Sequence, residues 1–205
     1  MMLSMQLAAP NETSIEHPRS KDEALLTRFA PILALVAICW AVFVVNNLLL
    51  HAQLNQYGII PRRLDSLPGI LFAPFLHSSY KHILANSLPL LVLGAVVCAR
   101  SKGEFIVVSI CGILCGGGLT WLFARHAAHI GASGLVFCYF GYISSLAYFR
   151  RNIGTLLLSV VCIVVYGGIV RGILPTSVAV SWEGHLAGLL TGIGAAWFMA
   201  RVSAA

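Results

Sequence analysis

A serine that opens an apolar helix, a histidine between glycines, and a histidine and asparagine one helical turn apart are the residues here whose types could make and break a covalent bond. Ser133 stands in Gly131-Ala132-Ser133-Gly134, where a polar loop with Arg125, His126 and His129 passes into an apolar run. Its hydroxyl is expected near a helix N-terminus, whose free backbone N–H groups suit a developing oxyanion. His185 stands in Gly184-His185-Leu186-Ala187-Gly188, and the glycines let its helix approach a neighbour closely. His82 and Asn86 are four residues apart, hence on one helix face, and both can donate hydrogen bonds to a charge forming beside Ser133. A nucleophile, a base and two donors are what acyl transfer needs. Each has a blander reading by itself: Gly-Ala-Ser-Gly as helix-packing material, a lone buried His bonded to a carbonyl, and His82 with Asn86 as glue between helices.

The elements that must position these residues are membrane helices. Of 205 residues, 59% are apolar and 10% charged, against about 45–50% and about 25% in an ordinary soluble domain. So few charges cannot cover a soluble globule, and disordered, collagen-like or nucleic-acid-binding chains need compositions that are absent. The net charge of +6 is spread singly between apolar runs, which makes it a topology signal. A hydrocarbon core of about 30 Å takes about 20 helical residues, and six stretches come near that: 30 to 50, 82 to 99, 104 to 123, 133 to 149, 153 to 170 and 183 to 200. Six transmembrane helices in one domain are expected.

Depth then links the polar residues. Ser133 is 17 residues from Arg150, His185 is 16 from Arg201, and His82 and Asn86 are 18 and 14 from Arg100. At about 1.5 Å per residue these are heights of roughly 25, 24, 27 and 21 Å above the basic ends. Polar side chains inside lipid are costly and functional by default, and these share one level. Only Asp65, Glu104 and Glu183 lie outside the first 29 residues among the acids. Glu104 falls at the opposite end, Asp65 in a long loop, and Glu183 is expected to point away from His185, so the arrangement reads as a Ser-His dyad without a third member. Burial is expected to keep His185 neutral at rest.

Lys and Arg number 8 on the side of both termini and 5 on the other, which places both termini in the cytoplasm. Residues 1–29 read as a polar cytoplasmic tail rather than a signal peptide, and 30–202 as the helical domain. The loop from His51 to Lys81, with Pro61, Pro68, Pro74 and the apolar run Ile70 to Leu76, reads as a folded element at the interface. All six cysteines lie in apolar stretches and read as core, with no metal site expected. Gly116, Gly117 and Gly118 are expected to break the third segment, and Gly184, Gly188 and Gly192 form a small-xxx-small ridge on the last.

Three motifs in this order resemble the rhomboid intramembrane serine proteases: His-x-x-x-Asn at 82 to 86, Gly-x-Ser-Gly at 131 to 134, and Gly-His-x-x-Gly at 184 to 188. His77, five before His82, is similar to the family's His-rich approach to that helix. The resemblance spans roughly residues 30 to 202 and implies an all-α, six-transmembrane-helix, rhomboid-like bundle. Two positions depart from it: Phe137 stands where a tyrosine often packs on the catalytic imidazole, and Pro61-Arg62-Arg63 stands where a Trp-Arg pair is common.

The resemblance implies a serine endopeptidase without a cofactor, with Ser133 as nucleophile and His185 as base, and with the oxyanion bound by His82, Asn86 and the Ser133 N–H. Its partners are expected to be transmembrane protein substrates within the lipid bilayer, with no nucleic acid. The expected location is a prokaryotic inner membrane, spanned several times. Two other readings stand beside it: a catalytically inactive rhomboid-like protein that binds membrane clients, and a haem protein using His82 and His185 as axial ligands.

Overall fold

The computed structural model describes residues 21–202, and these are helical from end to end apart from connecting loops. Most of the polar segment 1–29 lies outside the described residues. Its last nine residues are already helix, because α1 runs Lys21–Leu48 and begins well before the apolar stretch. In the connection that follows, 3-10 turns at Gln53–Tyr57 and Leu64–Ser66 lead to α2, Gly69–Phe72, and a turn at Ala73–Phe75. Then come α3, Tyr80–Arg100, and α4, Lys102–Cys111. A π-helical turn, Gly112–Gly116, joins α4 to α5, Gly117–Phe123. The chain continues with α6, Ser133–Arg150, and α7, Ile153–Tyr166, extended by a 3-10 turn Gly167–Ile173, and ends with α8, Trp182–Val202.

Four helical stretches are long and apolar enough to cross a membrane: Leu25–Leu48, Tyr80–Arg100, Lys102–Phe123 and Ile153–Ile173. Ser133 and His185 stand on two other helices: α6 is rich in serine and tyrosine and α8 in glycine, and α6 is the inner one. Leu135 to Ile143 of α6 are all buried, on every face of the helix, as expected of a helix enclosed by others. It is packed by α3, α4, α7 and, most extensively, α8. The α8 contact follows from glycine. A Cβ on Gly188 would overlap the Gly134 carbonyl, and one on Gly192 the Cys138 carbonyl. Gly184 differs from the ridge expectation, because a Cβ there would meet Ser181 Oγ at 2.7 Å, in its own turn.

The glycines at 116 to 118 do not break the third segment. Lys102–Phe123 is one continuous stretch that widens into a π turn and tightens again. The turn lets two faces pack closely: a Cβ on Gly112 would stand 2.8 Å from Leu135 Cδ2, and one on Gly117 2.9 Å from Ile70 Cγ2.

Side-chain hydrogen bonds fix the connections. Trp40 Nε1 donates to Ser87 Oγ at 3.0 Å, tying α1 to α3. In the last turn of α1, Asn46 Oδ1 accepts from Leu54 N at 2.9 Å while its amide donates to Asn55 Oδ1 at 3.1 Å. Arg62 reaches across to the end of α5, where Nη1 donates to the carbonyls of Leu122 and Ala124 at 3.1 and 2.8 Å. A cation on helix C-terminal carbonyls is favourably placed. Trp121 Nε1 donates to Arg63 O at 2.9 Å, so a tryptophan from α5 meets the Arg62-Arg63 turn.

At the opposite end from the polar level, buried Glu104 accepts from Arg100 Nε at 3.1 Å, Arg150 Nη2 at 2.7 Å and Tyr142 OH at 2.7 Å. A carboxylate out of water needs such partners, and here it joins α3, α4 and α6.

Candidate active site

Ser133 is the first residue of α6, with Ala132 as its N-cap. The turn before it needs glycine: Gly131 has φ +116°, and a Cβ there would also press on His82 Nε2 at 2.6 Å. Two hydrogen bonds hold this turn against the segment leading into α3. Gly131 N donates to Ala73 O at 2.8 Å, and Ala132 N donates to His77 Nε2 at 3.3 Å. Because a carbonyl only accepts, the contact of His77 Nδ1 with Phe75 O at 3.4 Å places the ring proton on Nδ1 and leaves Nε2 as the acceptor. Burial, helped by the neighbouring His82, pushes the His77 pKa down to about 4, so the ring is neutral near pH 7.

His185 lies opposite, one turn into α8. Its Nε2 is 2.8 Å from Ser133 Oγ, and its Nδ1 is 2.9 Å from the Gly172 carbonyl. The carbonyl requires the proton on Nδ1, so Nε2 carries a lone pair toward the serine hydroxyl. A backbone carbonyl thus takes the orienting place for which the sequence offers no acid. Phe137, which departs from the family's common tyrosine, stacks on the imidazole at 4.3 Å with planes 10° apart. Glu183 points away from His185 and pairs with Arg125 at 3.1 Å.

The expected donors are beside this pair. Asn86 is buried, and its Nδ2 has no hydrogen-bond partner. A Cβ on Gly131 would lie 3.3 Å from that nitrogen, which places the amide against the turn before Ser133. His82 packs edge to face on His77, centroids 5.1 Å apart, and its Nδ1 is 3.2 Å from Ser78 Oγ. An open cleft of about 590 Å³ exposes this constellation, lined by His82, Asn86, Ser133 and His185 and walled by Val178 to Ser181. A smaller cavity of about 50 Å³ lies behind Ser133, bordered by Ala73, Thr120, His129 and Ser181.

Gly172 was not legible as a site residue, since the bond is made by its backbone. His129 and Ser181 belong to none of the three motifs, yet they form a second His–Ser contact of 2.6 Å in the cleft wall. Their signal was the repeated four-residue spacing to Ser133 and His185. Among the described residues no three His, Cys, Asp or Glu side chains converge as a metal site would require.

The family profile of the Rhomboid domain matches residues 65–202. Uncharacterized proteins of Mycobacterium tuberculosis and Mycobacterium bovis are 34% identical to this chain over 177 residues, covering 82% of it and 73% of their own length. One from Mycobacterium leprae is 34% identical over 177 residues, covering 82% of this chain and 70% of its own.

Proposed function

The chain belongs to the rhomboid family and is an integral membrane protein, and from that premise we propose that it is an intramembrane serine protease cutting transmembrane protein substrates by a Ser133–His185 dyad. The observation that carries this is the 2.8 Å contact of His185 Nε2 with Ser133 Oγ in the tautomer set by the Gly172 carbonyl. His185 takes the hydroxyl proton as Oγ attacks the peptide carbonyl. The oxyanion then lies at the start of α6, where the Ser133 N–H, the unpartnered Asn86 Nδ2 and His82 are available as donors. His185 returns the proton to the leaving amine, and water, deprotonated by the same Nε2, releases the acyl group.

In this reading α6 and α8 also cross the bilayer, giving six spans in a prokaryotic inner membrane with both termini in the cytoplasm, and the folded first loop lies at the outer interface. The substrate helix unwinds locally to present its carbonyl in the 590 Å³ cleft. The haem reading is not favoured, because both ring nitrogens of His185 are already engaged.

The test is labelling with a serine-directed fluorophosphonate together with cleavage of a transmembrane reporter in detergent. Wild-type protein should label and cut, while Ser133→Ala and His185→Ala should do neither and still insert. Near-wild-type turnover in either variant would remove the dyad assignment.

A further inference from the structure

His129 and Ser181 repeat, one turn away, the contact that joins Ser133 to His185. His129 precedes Ser133 by four residues and Ser181 precedes His185 by four, so both pairs span 52 residues between the same two segments. This second pair is closer, at 2.6 Å from His129 Nδ1 to Ser181 Oγ. His129 Nε2 is 3.1 Å from the Arg125 carbonyl, which requires Nε2–H and leaves Nδ1 to accept the serine proton. The pair lacks what surrounds Ser133: no unpartnered buried donor lies beside Ser181 among the described residues.

We propose, on the protease reading above, that His129 and Ser181 are positioning residues that set the Ser133–His185 distance. The two ends of this link are anchored differently. His129 is buried, and its backbone exchanges two hydrogen bonds with Ile59, at 2.8 and 3.0 Å. Ser181 ends a loop with no core of its own, in which Val178 is 93% exposed. What holds that loop comes from the His129 side: Ser181 Oγ bonds to His129, and Arg125 donates to the carbonyls of Val178 and Val180 at 2.9 and 2.7 Å and to Glu183. The Ser181 carbonyl accepts from His185 N at 3.1 Å, so a displacement of Ser181 passes in one helical turn to the catalytic imidazole. Catalysis is steep in such displacements, on the order of 100-fold for about 1 Å.

The experiment compares Ser181→Ala and Ser181→Thr with wild-type protein in detergent, by reporter kinetics, fluorophosphonate labelling rate and thermal unfolding. Ser181→Ala should lower kcat and the labelling rate together by about 10- to 100-fold, with KM within about twofold and the melting temperature nearly unchanged. Ser181→Thr, which keeps the hydroxyl, should recover most of the loss. Wild-type kcat in Ser181→Ala, equal loss in both variants, or loss that tracks a fall in melting temperature would overturn the proposal. If wild-type protein neither labels nor cuts, it is the protease reading that fails. The link is then read from the ring 15N shifts of His185, which should lose the hydrogen-bonded Nε2 signature in Ser181→Ala and regain it in Ser181→Thr; unchanged shifts would overturn it.

Discussion

Replacing Gly172 by alanine sets one methyl group against both the His185 ring and the aromatic stacked on it. Its Cβ would stand 3.0 Å from His185 Nδ1 and 3.0 Å from Phe137 Cζ, where ordinary carbon contacts are about 3.5–4.0 Å. The backbone at this position is helical, so alanine costs nothing in conformation. The methyl group must therefore be accommodated by the ring, by the aromatic stacked on it at 4.3 Å, or by both. If the imidazole yields about 0.5 Å, the Ser133 contact lengthens from 2.8 Å toward the limit of a useful hydrogen bond. Scaling about 100-fold per 1 Å gives a loss on the order of 10-fold in kcat. KM should change little, because Gly172 does not line the cleft. Steady-state cleavage of a transmembrane reporter and the fluorophosphonate rate should fall by the same factor. Undiminished kcat in a protein whose melting temperature is also unchanged would refute the argument that the rate depends on where the residue-172 contact holds the His185 ring.

Asn86→Ala should lower kcat by roughly 100- to 1,000-fold while leaving KM nearly constant, since the lost donor acts in the transition state; a pure rise in KM would make Asn86 a substrate-holding residue. Gly188→Val should abolish labelling and cleavage by forcing α8 off the Gly134 carbonyl, whereas Gly103→Val, where a Cβ meets only Ser101 Oγ at 3.5 Å, should be silent in the same assay. His77 binds its proton less readily folded than unfolded, so the unfolded state takes up more protons and stability falls as pH drops from about 6.5 to about 4. The full effect is about 3 kcal/mol, and thermal melts across that window should show a shallower acid limb for His77→Gln. Glu104→Gln leaves Arg100 and Arg150 without a counter-charge and should lower the melting temperature without changing the kcat of the folded fraction.

The Ser133–His185 contact was legible because lipid makes polar side chains rare, so depth arithmetic on Ser133, His185, His82 and Asn86 had few candidates to sort. Helix ends were legible where a basic residue marks them, as at Arg100 and Arg150. What stayed hidden was backbone chemistry. The Gly172 carbonyl orients the imidazole, and the His129–Ser181 link depends on tautomers that no spacing specifies. The three consecutive glycines were misleading in a different way. Glycine weakens a helix in water, but Gly116 and Gly117 pack against neighbours inside this bundle, and packing outweighs the propensity of about 1 kcal/mol. Arg62 was visible as a charge but not as a cap, since its partners lie some sixty residues away.

The widened turn at Gly112–Gly116 also bears on how this stretch is compared with its relatives. A π turn is in effect one residue more than an α-helix of equal height requires, and it offsets the two halves by about a quarter turn. The half before it serves α6, through Cys138 Sγ on the Val108 carbonyl and Ser109 Oγ 2.7 Å from Tyr139 OH. The end of the turn and the half after it serve α8 and the first loop, through Gly116 beside Gly188 and Gly117 beside Ile70. Stripe-based periodicity therefore goes out of phase midway, and a homologue lacking one residue here would have to be aligned with a gap inside a membrane helix. In this protein, deleting a single residue between Gly112 and Gly116 would keep every other contact of one half in register and turn the other half to the wrong neighbour.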